Sequence, residues 1–294
     1  MNRRARLGND IALASMRSVS ALLVLLLVWA ILYLVANGWG ELTRPAFYTH
    51  SPDIGGPGSG AGPQLFNTVY VLVLSLLITV PLGVAAGIYF AEFAGQGRLA
   101  NIARRATETL ATLPSIVVGL FGFSLFVQAT HSHPSRLAAA LSLVVINLPY
   151  AVRVSEDALR ALPAPLREGS LALGATRWQT VARAMLPASV PSLVTGLIIL
   201  TGRGFGEAAA ILFTGSAGAI TSAPNYTLNP LLGGDTLAVL LYVFRTQAEP
   251  SAVPDARQFA DGVAALLVLL VLAFNIGARL LGRLAIRRLQ GASP

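Results

Sequence analysis

The sequence predicts an all-α integral membrane protein with six transmembrane helices. Three observations lead there. Of 294 residues, 54% are hydrophobic and only 12% charged, about half the charged share of a soluble domain. The apolar residues gather into six long runs, each near the roughly 20 residues that cross a bilayer core as a helix. The charges fall almost wholly between those runs, where they avoid the cost of entering lipid.

The first run covers 19–36, preceded by Arg3, Arg4, Arg6 and Arg17 and followed by Asn37, Gly38 and Trp39. A secretory signal has a shorter apolar core and a small-residue cleavage site. The run therefore reads as a retained span with an interfacial tryptophan. The others cover 65–91, 109–129, 137–152, 192–214 and 262–278. The fourth and sixth are short, so their helices should extend past these limits. Pro81, Pro114 and Pro149 fall inside or at the edges of spans; in a bundle, neighbouring helices satisfy the backbone groups that proline frees. Gly83, Ala85, Ala86 and Gly87 allow close helix approach.

All 21 basic residues are arginine. Sixteen lie on one side of the predicted spans: Arg3, Arg4, Arg6, Arg17, Arg98, Arg104, Arg105, Arg153, Arg160, Arg167, Arg177, Arg183, Arg279, Arg283, Arg287 and Arg288. Four lie on the other: Arg44, Arg136, Arg245 and Arg257. By the positive-inside rule the first group is cytoplasmic, which places both termini inside.

Several function classes drop out. Without lysine there is no Walker A loop, which needs one on the phosphates. The net charge of +8 is spread between apolar runs and not gathered on a polar domain, so nucleic acid is not the expected partner. With no cysteine there is no thiol chemistry. His50, His131 and His133 read as solvated loop residues, not metal ligands. The alternating glycines of 55–63 follow no strand and read as a flexible linker. The sequon at Asn225 carries no weight alone. Within the spans no nucleophile stands with a base, and no paired carboxylates or histidine cluster occur. The chain is not expected to be an enzyme.

The segment 153–189 is patterned too regularly for a plain linker. Residues 166–173 read as a short helix closed by Gly174, which tolerates the left-handed conformation. Thr176 then caps a second helix over 177–185, with Gln179 completing a capping box, and Pro187 should end it. The pair forms a protruding knuckle whose apolar members include Leu171, Trp178, Val181 and Met185, a surface suited to docking on a partner. Glu168-Gly169-Ser170, Gly174 and Leu186-Pro187 resemble the EAA loop of ABC-transporter permeases, with Gly169 and Ser170 in place of two alanines and Ala184 in place of isoleucine. The resemblance implies a MetI-like permease core over 65–281, preceded by a tail, first helix and outer linker (1–64) and followed by a cytoplasmic tail (282–294). It also implies that Glu168, Gly174, Ala175, Thr176, Arg177 and Trp178 couple to an ATP-binding cassette ATPase dimer that carries the ATP and magnesium, this chain holding no cofactor.

The fifth span carries a charge at its centre, Arg203, with Glu207 four residues on and so on the same helix face. A mid-membrane charge costs at least about 2.5–3.5 kcal/mol, so the pair serves either as an internal ion pair for packing or as a contact for an anion in the path. A guanidinium fits an oxyanion through two parallel hydrogen bonds. Gly202 through Ala210 resembles the fifth-span motif of phosphate-importer membrane subunits of the PstA type, which implies a phosphate-path role for Arg203 and Glu207. Gly202, Gly204 and Gly206 read as close-packing positions. Further implied partners are a homologous permease subunit, an extracytoplasmic phosphate-binding protein and the lipid of a bacterial inner membrane. Another oxyanion such as sulfate or molybdate, or a membrane sensor or scaffold without transport, remains as an alternative.

Overall fold

The computed structural model describes residues 3–52, 59–95, 97–216, 226–246 and 256–289. Gly55, Gly56, Pro57 and Gly58 of the expected linker, Asn225 of the sequon and residues 290–294 lie outside the described residues, as do the side chains of Arg3, Arg4, Arg6, Arg287 and Arg288. The helices are α1 (Arg3–Leu42), α2 (Pro45–Thr49), α3 (Gly62–Ile88), α4 (Arg98–Ala111), α5 (Ser115–Phe123), α6 (Arg136–Arg160), α7 (Ala164–Ala172), α8 (Arg177–Thr180), α9 (Leu186–Gly204), α10 (Ala209–Gly215), α11 (Leu237–Thr246) and α12 (Ala256–Leu289). Three π turns extend them: Tyr89–Phe93 after α3, Ser124–Gln128 after α5 and Val181–Met185 after α8.

Five helical stretches among the described residues are long and apolar enough to cross a membrane: Asn9–Leu42, Gly62–Phe93, Arg136–Arg160, Arg177–Gly204 and Ala256–Leu284. The third predicted span is broken. Arg98–Ala111 and Ser115–Gln128 meet at 101°, where the sequence suggested one helix over 109–129. Pro114 is the cause, since it lacks an N–H and pushes Leu113 out of the helical region. Pro81 and Pro149, by contrast, stay inside α3 and α6.

The centre of the bundle is the α3–α6 pair. A Cβ at Gly83 would lie 2.5 Å from the Ala151 Cβ, and one at Gly87 would lie 2.4 Å from the Ser155 Cβ. These two glycines, one turn apart, are what let the helices touch along their backbones. An apolar cluster of Val71, Leu143, Ile146, Ile211 and Val239 fills the middle of the bundle. The long α1 lies along α12, with Leu22 through Leu27 fully turned outward, as a lipid-facing helix requires.

Helix ends gather at two ends of the bundle. At one end the Ser135 amide donates to the Thr214 carbonyl at 2.8 Å, Gly234 to Gly215 at 3.0 Å, and Gln64 Nε2 to Asp235 Oδ2 at 3.1 Å. Tyr226 donates to the Thr49 carbonyl at 2.9 Å, and partial desolvation pushes its phenol above the ordinary range. The opposite end carries the α7–α8 knuckle. One element went unforeseen: α11, in the segment expected as an outer loop, buries Leu237, Leu240, Val243 and Phe244 against α12 and α3.

Candidate functional site

The knuckle is built as its residues dictate. α7 is followed, two residues past its end, by Gly174, whose φ is +82°, with nothing within 4 Å of where a Cβ would stand. Glycine is there for its backbone freedom, not for space. The Thr176 Oγ1 then accepts from the Gln179 amide at 3.3 Å, while Gln179 Oε1 accepts from the Thr176 amide at 2.9 Å. The capping box is complete. Ser170 and Thr180 hydroxyls meet at 3.0 Å and join the two helices.

The second knuckle helix does not stop before Pro187. It passes through the π turn, where the Leu186 amide reaches back to the Val181 carbonyl, and runs into α9 as one stretch, Arg177–Gly204. The wider turn shifts the ladder by one residue just where the Pro187 ring would meet a normal helical carbonyl. The knuckle's apolar side chains also divide. Trp178 is 62% exposed and Leu171 and Leu173 are exposed, but Val181 and Met185 are buried with Ile88 and Leu159. The first group forms the protruding face and the second anchors it. Glu168, Arg177 and Trp178 are all exposed on the protruding part.

The fifth span is discontinuous at the predicted charge pair. α9 ends at Gly204 and α10 begins at Ala209, where a single helix over 192–214 was expected. Three glycines in five residues weaken the helix by about 1 kcal/mol each relative to alanine. The residues between turn more tightly, with Gly206 donating to the Arg203 carbonyl at 3.1 Å and Glu207 to Gly204 at 3.4 Å. The side chains still meet: Arg203 Nε donates to Glu207 Oε1 at 3.2 Å. Gly204 packs on Leu72 and Gly202 on Asn275, while a Cβ at Gly206 would meet the Arg203 carbonyl of its own turn at 3.7 Å.

The Arg203 side chain is 48% exposed and that of Glu207 12%. The exposed face of Arg203 lines a cavity of about 430 Å³ with Tyr150, Arg153, Glu156, Arg160, Arg104 and Glu108. Below Arg203, Glu156 Oε1 binds both Arg160 Nη2 at 2.7 Å and Arg104 Nε at 3.2 Å. Sequence reasoning missed this wall. The arginines were counted for orientation, while Glu92 and Glu156 among them were given no role; they were the signal.

This architecture is that of a helical transport permease. Residues 83–291 match the family described as binding-protein-dependent transport system inner membrane component, and the chain belongs to that family. Among its relatives, the probable ABC transporter permease protein YqgI of Bacillus subtilis (strain 168) is 40% identical across 98% of this chain and 99% of that one. The phosphate transport system permease protein PstA 1 of Mycobacterium tuberculosis (strain ATCC 25618 / H37Rv) is 30% identical across 97% of this chain and 91% of that one. Among solved structures, a chain of a bacterial alginate ABC transporter, in complex with an alginate pentasaccharide-bound periplasmic protein, superposes with a TM-score of 0.69 at 14% identity, covering 98% and 99% of the two chains. A chain of the inward-facing MetNI methionine ABC transporter gives 0.54 at 21%, covering 85% and 94%. These share the MetI-like fold. The chain is thus a multi-pass membrane permease of an ABC importer.

Proposed function

We propose that this permease imports inorganic phosphate, with Arg203 and Glu207 in the translocation path and the α7–α8 knuckle as the contact for an ATPase dimer. The observation that carries the reading is the half-exposed guanidinium of Arg203 at the break in the fifth span, facing an open cavity with one carboxylate beside it. Discontinuous spans near the membrane midplane are where alternating-access carriers hold their solutes. The relatives named for phosphate transport support the choice of anion. Glu207 accepts a proton-bearing oxygen, which favours hydrogen phosphate over an anion without a proton.

In this reading the chain pairs with a homologous permease subunit over 65–281 and receives solute from an extracytoplasmic phosphate-binding protein. The arginine-rich end, with both termini, faces the cytoplasm. ATP and magnesium act on the ATPase, whose closure draws the knuckles together and opens the path outward. Each state is favoured only by the difference in affinity its ligand shows for it.

Competition uptake in vesicles holding the complete complex tests the cargo. Unlabelled phosphate is expected to suppress uptake of labelled phosphate, while sulfate and molybdate at equal concentration leave it near control; suppression by sulfate or molybdate at equal potency refutes the assignment. Gly174→Leu tests the knuckle. At a φ of +82° a side chain strains the backbone by about 1–2 kcal/mol, so the ATPase should co-purify less or lose stimulated hydrolysis. Unchanged co-purification and hydrolysis contradict the docking role.

A further inference from the structure

We infer that the ion pair between Arg167 and Glu92 is the tether through which movement of the knuckle reaches the wall of the cavity under Arg203. The inference rests on the reading of α7–α8 as the ATPase contact. Arg167 stands on α7, one residue before Glu168, and its Nε meets Glu92 Oε2 at 2.8 Å. Glu92 belongs to the π turn that ends the second span, and its side chain is only 8% exposed. A carboxylate so enclosed needs a fixed cation, so the pair holds α7 to the end of α3 more firmly than an exposed pair would.

The same π turn also holds the cavity wall. The last carbonyls of a helix have no partner within it, and Phe90 is among them. Its oxygen accepts from Arg104 Nη2 at 2.9 Å and from Arg160 Nη2 at 3.4 Å. Arg104 also lies over the Phe90 ring, 5.5 Å from its centroid. Arg104 and Arg160 share Glu156, and all four residues line the cavity that Arg203 closes. One five-residue turn therefore touches the knuckle through Glu92 and the cavity through Phe90. Beneath it, Ile88, Leu159, Val181 and Met185 form an apolar bearing between α3, α6 and the root of the knuckle. Rotation of α7 pulls on Glu92, shifts the Phe90 carbonyl, and moves the two guanidinia below Arg203. Glu92 and Arg167 act through other residues and are positioning residues.

The test is the number of phosphate ions imported per ATP hydrolysed by the complete complex in vesicles, for Glu92→Gln, Arg167→Gln and the exchanged double variant Glu92→Arg/Arg167→Glu. Both single variants should assemble with the ATPase and hydrolyse ATP while the ratio falls about fivefold or more, the lower end of usual coupling strengths. The exchanged pair should recover most of it. A wild-type ratio in assembled single variants overturns the inference, and so does loss of assembly in both, which assigns the pair a structural role. Trp178→Ala, measured alongside, separates the two possible failures. If the docking reading is wrong, Trp178→Ala leaves co-purification with the ATPase intact. If only the tether is wrong, it weakens co-purification while Glu92→Gln keeps the wild-type ratio.

Discussion

Arg136 and Arg203 both belong to membrane-spanning stretches, and their surroundings differ at every point. Arg136 opens α6 with 0% exposure. Its guanidinium lies over the Phe66 and Tyr70 rings, at 5.7 and 5.6 Å, and donates to the Thr227 carbonyl. Its own amide donates to Leu232 at 3.0 Å. It joins α3, α6 and the segment that leads to α11, and it has no open face. Among the described residues Arg203 has one carboxylate partner, and its half-exposed side chain lines a cavity. A cation enclosed on every side holds a scaffold together, because desolvating it is affordable only with fixed partners. A cation with one partner and a solvated face is in a position to take an anion.

The largest expected effect that sharpens this contrast is on stability. Arg136→Leu should lower the thermal stability of the complex by about 3 kcal/mol, through a carbonyl left bare and the lost ring contacts. Uptake per assembled complex should change little. A variant as stable as wild type would show that Arg136 is no scaffold residue. Arg203→Lys should do the reverse, leaving assembly intact and lowering phosphate uptake about tenfold. Lysine keeps the charge but loses the planar fork that meets two oxygens at once. Uptake at the wild-type rate would mean that charge alone suffices. Smaller still, Glu207→Gln should raise the inhibition of phosphate uptake by sulfate about threefold, the size of one net hydrogen bond. Unaltered inhibition would remove Glu207 from selectivity.

The contrast was only half legible in the sequence. Arg203 was conspicuous because it interrupts an apolar run, whereas Arg136 stood at the edge of one and counted as an outer-loop charge. Its burial depends on Phe66, Tyr70 and Thr227, residues 66 to 91 positions away, which no local pattern reveals. The knuckle was readable for the opposite reason. Gly174 and the Thr176–Gln179 capping box act within a few residues, so spacing states the geometry directly. The breaks in the third and fifth spans were marked by Pro114 and by Gly202, Gly204 and Gly206, but hydropathy averages over such signals. α11 was missed because its apolar run is too short to cross a membrane, and its burial comes from packing against α3 and α12.

The most direct measurement is labelled-phosphate uptake by vesicles containing the complete complex with Arg203→Gln, with assembly checked by co-purification of the ATPase. Glutamine keeps a polar side chain near Glu207 and removes the charge. The expected result is an assembled complex with phosphate uptake reduced to background. An assembled complex that imports phosphate at the wild-type rate would contradict a path through Arg203.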